Sequence, residues 1–291
     1  MSRGFLEALK GPGPVAVVEL RPPSLGLEGP HAMDAWIDLH HEVRRLAREG
    51  HYLFLTDNAV GEAEEENLAH LGANLAGEVD PARVVPFLTC KHSLEYCLLY
   101  AERAWAQGFR ALVVLGGDRS VGPPRCLPHA HHLRRRIRER VPDLLLGGWA
   151  NPHRDPEEQA GYMAHPDYEA DFWLSQVVSH HSADRAEALC QALRKREMGI
   201  PGVFGVFFYR SPRRKTLERL GEFFPVPAGA LREEFAAGAT PEEICRRSVE
   251  ALEERGMTNL YFSNLVLRNA SRNMREIRRP RETEAVRETS G

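Results

Sequence analysis

Eight short apolar runs in this 291-residue chain each end in, or beside, a side chain that can do chemistry. Glu19 closes Val15–Leu20, and Thr56 ends Tyr52–Thr56 with Asp57 next to it. Thr89 ends Val84–Thr89, and Gly116-Gly117-Asp118 follows Ala111–Leu115. Trp149, with His153 just beyond, ends the fifth run; Gln176, Tyr209 and Asn264 lie at the ends of the last three. Two carboxyls suit proton transfer or the stabilisation of a developing cation. Two amides can read the donor and acceptor pattern of a heterocycle edge, and paired glycines let backbone approach a ligand closely. Each residue alone has a plainer explanation: Asp118 as a helix cap, Glu19 as a partner for Arg21, the threonines as strand ends, His153 as a turn residue in Asn-Pro-His. Gln176 is the hardest to explain away, because a buried amide without partners costs ~1–3 kcal/mol. Together the set describes a polar pocket.

For such a set to converge, the runs must be neighbouring strands. Their Leu- and Val-rich composition, bounded by Gly, Pro and Asp, is that of parallel strands buried on both faces. Between them the apolar spacing predicts helices near 31–49, 62–76, 93–107, 128–140, 156–164, 182–196, 213–223 and 228–237. A further helix opens at the Thr240-Pro-Glu-Glu243 capping box. Pro86 is a mild objection to a central third strand. Eight βα units in one series predict a single-domain α/β protein, a (β/α)8 barrel over residues 1–274 with a charged tail at 275–291. An open doubly wound sheet is disfavoured, since its glycine-rich loop belongs after the first strand, where Arg21-Pro22-Pro23 stands.

Composition narrows the function classes. A net charge of −3, with 38 basic and 41 acidic residues, gives no electrostatic case for nucleic acid or an anionic membrane. No run of ~18 apolar residues and no signal-peptide core occurs, so a cytoplasmic protein is expected. The five cysteines form no C-x-x-C pair and read as reduced thiols; no metal site is expected. The arginine-rich helix near 134–140 fits a solvated face or an interface equally well, and a homo-oligomer or partner subunit is left open.

The ordered series of strand ends resembles the methylenetetrahydrofolate reductase family. Val18-Glu-Leu-Arg-Pro-Pro23 is similar to that family's F-E-F-F-P-P, Phe87-Leu-Thr-Cys90 to its H-L-T-C, and Leu115-Gly-Gly-Asp118 to its L-R-G-D. Gly148-Trp-Ala-Asn-Pro-His153 resembles A-Y-P-x-x-H, and Glu169–Gln176 resembles G-A-D-F-x-x-T-Q. Phe204–Phe208 and Leu260–Asn264 match P-G-I-M-P and F-Y-T-L-N more faintly. The resemblance spans roughly residues 15–270. It implies reduction of 5,10-methylenetetrahydrofolate, with NAD(P)H as donor and bound FAD as carrier. Glu19 would protonate the folate nitrogen and open the ring to an iminium, and Asp118 would stabilise that cation. Gln176, Asp118, Tyr209 and Asn264 would hold substrate; Thr56, Thr89, Gly117, Asp118, Trp149 and His153 would hold the cofactor. Gly116 stands where the family has arginine, Phe87 where it has histidine, and Phe204 and Phe208 where it has prolines, departures that fall mainly on the flavin. Arg119 or Arg125 is the nearby candidate for the missing charge. Two other readings accompany this one: a flavin-independent folate reductase, and a folate-binding or regulatory subunit without turnover.

Overall fold

The structure, a computed structural model, describes residues 4–23, 27, 29–56, 75, 77–118 and 122–279. Asp57, Arg119 and almost all of the acidic helix expected near 62–76 lie outside the described residues. Eight parallel strands pair in chain order and close into a barrel: β1 (Val15–Leu20), β2 (Tyr52–Leu55), β3 (Val84–Thr89), β4 (Ala111–Leu115), β5 (Leu145–Ala150), β6 (Phe172–Ser175), β7 (Gly202–Phe207) and β8 (Asn259–Ser263). The expected fold class is the one observed. Pro86 sits inside β3, paired with Leu55 of β2.

Because strand side chains alternate between faces, the barrel divides its apolar residues into two cores. Val15, Val17, Phe54, Val85, Val113, Phe172, Leu174, Val203 and Tyr261 fill the interior. The alternate residues, among them Val18, Leu53, Leu112, Leu146, Val206 and Phe262, face the surrounding helices. Those helices are α2 (Gly29–Arg48), α3 (Leu94–Ala106), α4 (Ala130–Arg140), α5 (Pro156–Met163), α6 (Ala183–Lys195), α7 (Arg214–Gly221), α8 (Ala228–Ala236), α9 (Pro241–Glu253) and α10 (Ala270–Arg278). Thr240 and Glu243 form the expected capping box at the start of α9.

Three features depart from the sequence reading. A short helix ahead of the barrel, α1 (Phe5–Lys10), was not foreseen; its Phe5 is 1% exposed and plugs the barrel's N-terminal end. Helix α10 continues beyond residue 274 to Arg278 with Ile277 buried, so the first residues assigned to the tail are packed. The arginines of α4 divide between a buried one and others on the surface that pair within the chain. Arg134 is buried and donates to the carbonyls of Val114, Tyr168 and Glu169, while Arg135, Arg138 and Arg140 pair with Asp167, Asp171 and Glu102. No helix among the described residues is long and apolar enough to cross a membrane.

Candidate functional site

Following the interior alternation of each strand to its C-terminal end predicts which side chains enter the mouth. Val15 and Val17 lead to Glu19, Phe54 to Thr56, Phe87 to Thr89, and Leu115 to Gly117. Gly147 leads to Trp149, Leu174 to Gln176, Phe207 to Tyr209 and Tyr261 to Ser263. The ladder persists past the strand ends, through Thr56 N to Leu20 O at 3.1 Å and Gln176 N to Ala150 O at 2.8 Å, so the alternation holds there. Seven of these eight were candidates from sequence; Ser263 was missed.

Glu19 occupies the floor of the mouth. Its side chain keeps part of its surface open yet is surrounded by protein atoms, as expected of a group at the bottom of a recess. Burial raises its carboxyl above the usual carboxylate range; Arg21 and a hydrogen bond with Ser263 pull it back only in part. Register explains the contact with Ser263: Val17 pairs with Tyr261, so two residues on Glu19 and Ser263 are cross-strand neighbours. Below them the Tyr261 hydroxyl donates to Ser175 O across the interior at 2.7 Å. The nearby Glu19 charge and its own burial hold this phenol well above its ordinary pKa. Glu19 is therefore a carboxyl biased toward its protonated form, with a ready position from which to give up that proton.

The other rim residues divide by whether their polar atoms are free for a ligand. Trp149 is half-buried, its ring side on the interior cluster, and offers a flat surface for stacking. Gln176 uses its Oε1 to accept from Val177 N at 2.9 Å. Thr56 Oγ1 donates to Leu20 O at 3.4 Å, and Thr89 is 3% exposed. His153 Nε2 lies 2.9 Å from Val177 O, which can only accept, so Nε2 carries the hydrogen and the ring clasps the loop after β6. Tyr209 is 5% exposed, packs on Phe207 with ring centroids 4.9 Å apart, and has its phenol pKa raised by burial. It belongs to the same apolar cluster as Leu217 of α7 and Leu231 of α8. Asn264 adopts φ +70° and donates from Nδ2 to Phe208 O at 3.0 Å, which shapes the turn after β8. The place expected for Asn264 inside the mouth belongs to Ser263.

The loop after β4 shows how the missing arginine is accommodated. A methyl group at Gly116 would stand 2.7 Å from Cζ of Arg125, so this guanidinium fills the space that a side chain at 116 would take. Arg125 donates from Nη2 to Gly117 O. Gly117 adopts φ +73°, and Lys91, buried and bonded to Pro123 O at 2.9 Å, passes directly against it. Of the two candidate replacements only Arg125 lies in the described structure, and it sits beside Gly116. Asp118 follows, half-buried on the same rim. On this loop Cys126 N donates to Cys90 O at 2.7 Å, and the Cys97 thiol donates to Thr89 O at 3.6 Å. None of the five cysteines is paired in a disulfide. A cavity of about 320 Å³ lies between α7 and α8, lined by Arg214, Leu217, Glu218, Ala228 and Arg232. It holds none of the rim chemistry, and its Arg214 and Glu218 already pair at 2.6 Å.

A closed parallel barrel with an acid at the floor of its C-terminal mouth is the class that fold and site define: a (β/α)8 barrel of the kind that binds ligands at that end. No protein-family model matches the chain, and no curated protein sequence matches it. Among solved structures it is similar to an uncharacterised protein from Clostridium thermocellum described as binding two copies of 5-methyl-5,6,7,8-tetrahydrofolic acid. The TM-score is 0.65 at 16% identity, over 91% of this chain and 95% of that one. It is similar also to dihydrodipicolinate synthase from Bacillus clausii, with TM-score 0.52, 11% identity and coverage of 94% and 74%. A 2,3-dimethylmalate lyase of the PEP mutase/isocitrate lyase superfamily gives 0.52, 14%, 94% and 84%. At these identities the likeness is one of fold.

Proposed function

We propose that the chain binds a reduced folate in the C-terminal mouth, with Glu19 as the acid facing a nitrogen of the bound pterin. The observation that carries this reading is the inward, buried Glu19 with Ser263 against it and Trp149 and Gln176 on the same rim. A pterin needs a flat surface to stack on, an amide for its edge and one acid near its ring nitrogens, and this rim supplies all three. The barrel's likeness to a folate-binding protein supports the same choice. In the finer form of the proposal the substrate is 5,10-methylenetetrahydrofolate. Glu19 gives its proton to the nitrogen that leaves as the ring opens, and Asp118 faces the iminium so formed. A nicotinamide then supplies hydride, which makes the activity an NAD(P)H-dependent reduction.

The flavin fits less well. Of the residues assigned to it, Thr56 is bonded to Leu20 O, His153 to Val177 O, Thr89 is buried, and Gly117 is roofed by Lys91 and bound by Arg125. These groups are engaged within the protein, so no step is routed through FAD. The same engagement favours, as a second reading, folate capture without turnover.

The test is titration of the purified chain with 5-methyltetrahydrofolate, followed by tryptophan fluorescence, together with the visible spectrum and NAD(P)H oxidation in the presence of methylene-folate. Saturable binding, weakened in Trp149→Ala and Gln176→Ala, is expected. NAD(P)H oxidation that depends on methylene-folate and falls by roughly 10²-fold or more in Glu19→Gln is the outcome for an enzyme whose general acid is removed. Binding without oxidation selects the second reading. A chain that ignores reduced folates ends both.

A further inference from the structure

We propose that His180, His181 and Glu234 form a binding site for a first-row divalent cation, zinc foremost, which pins helix α8 to the loop after β6. The three residues come from elements far apart in sequence. His180 and His181 lie in the segment between β6 and α6, and Glu234 lies on α8, 54 residues beyond His180. Their ligand atoms all fall within 4.8 Å of one another, and both imidazole Nε2 atoms stand 2.7 Å from the same oxygen, Glu234 Oε1.

Both imidazoles and the carboxylate converge on one point, because each Nε2 is aimed at the same Oε1. Ser248 Oγ stands 2.9 Å from His180 Nδ1 and accepts from His180 N at 3.3 Å, so the far side of the ring is already held. With an ion bound at Nε2, Nδ1 carries the hydrogen and donates it to Ser248 Oγ, the outer partner that fixes the ligand tautomer. Arg247 Nη1 holds the other carboxylate oxygen, Oε2, at 3.0 Å and leaves Oε1 for the ion.

Two imidazoles and one carboxylate oxygen form a donor set that suits zinc and its first-row neighbours, and suits magnesium or calcium poorly. Three protein ligands leave a fourth position for water. Bond lengths of ~2.0–2.2 Å place ligand atoms on a tetrahedral ion roughly 3.3 Å apart. Each 2.7 Å contact would thus open by about half an ångström, within reach of ordinary side-chain rotation. The site is reachable, with the His180, His181 and Glu234 side chains 17%, 27% and 14% exposed. Its position gives it a consequence. The segment after β6 carries Gln176, and Leu231 of α8 belongs to the same apolar cluster as Tyr209, so an ion here would tie that segment to α8.

The experiment strips the full-length chain with a chelator and titrates Zn²⁺ in competition with a chromophoric chelator, with melting followed in parallel. One tight equivalent is expected, together with a rise in Tm that Mg²⁺ does not reproduce. Glu234→Gln and His181→Ala should each weaken that equivalent by roughly tenfold or more, and Ser248→Ala by less. Should Glu234→Gln fail to fold, the more exposed His181→Ala answers alone. The neighbouring histidines His129, His131 and His132, whose rings stand 4.2–5.7 Å apart, are the internal control; His131→Gln/His132→Gln should keep the equivalent. The proposal fails if the wild type takes up no competing equivalent, if the equivalent survives in His181→Ala, or if it disappears with His131 and His132.

Discussion

At the N-terminal end of the barrel the Phe5 ring meets Tyr52, Phe54 and Phe172 at centroid distances of 5.0, 6.0 and 5.1 Å, and Asn259 Nδ2 ties α1 down through Leu9 O at 2.9 Å. At the C-terminal end the same eight strands finish in a carboxylate, hydroxyls, an amide and an indole. The interior side chains alternate in the same way along both halves, so the difference comes from what closes each end. A short helix with one phenylalanine removes water from the lower half and lets it carry much of the interior's apolar burial. That leaves the upper half free to hold polar groups whose burial costs stability. The pattern resembles the general division of such barrels, in which one end stabilises and the other binds.

The largest effect expected from breaking this comparison comes from the sealed end. Phe5→Ala removes a ring that is 1% exposed and should cost about 3–5 kcal/mol in urea unfolding, the range for emptying an aromatic site. Trp149→Ala, on a half-exposed ring at the open end, should stay within about 1 kcal/mol while weakening folate capture. Equal losses would show that the two ends share the burden.

His51, just ahead of β2 at the sealed end, gives the next effect. Burial and the Arg278 charge lower its pKa from 6.5 to about 4, and a hydrogen bond with the Ala16 backbone offsets them only in part. The folded state keeps the ring neutral while the unfolded chain takes up a proton as pH falls below 6.5. Stability is therefore present above that pH and is lost as pH falls through about 4, by about 3 kcal/mol for a shift of this size. The stability gap between wild type and His51→Gln, read from urea midpoints, should narrow or reverse by that amount between pH 7 and pH 4. A gap that is constant with pH would place His51 in water.

How far the sequence reveals all this follows from which signals are local. Strand ends are local, so the eight runs, the barrel and seven of the eight inward residues at the mouth can be read from order and alternation alone. Ser263 escaped because a serine beside an asparagine draws less notice than the amide, and only the alternation from Tyr261 separates them. Helix α1 escaped because six residues give too short a period to read, and its role depends on Phe5 reaching strands far along the chain. The arginines of α4 were ambiguous because Asp167, Glu169 and Asp171, which answer them, lie about thirty residues away. The His180–His181–Glu234 cluster is invisible for the same reason: no spacing rule joins a loop after β6 to a helix after β7. Arg125 was within reach of the sequence, since the loss at Gly116 posed the question and the adjoining loop held the candidate.

The smallest effect is also the one that bears most directly on the open end. Glu19 has its pKa raised in the folded state, so folding there favours the protonated carboxyl. Below the unfolded pKa both states hold the proton and Glu19 adds no penalty. As pH rises through the unfolded and then the raised folded value, the folded state bears an ionised group that it has desolvated, and stability is lost. Glu19→Gln keeps the shape, and its amide can still hydrogen-bond with Ser263 while carrying no charge. It should therefore raise Tm at pH 7–8. The gain should vanish near pH 4. A destabilised Glu19→Gln at pH 8 would mean that the Arg21 charge and the Ser263 hydrogen bond outweigh burial. Glu19 would then be an ordinary carboxylate, and the acid at the floor of the mouth would have to be sought at Asp118.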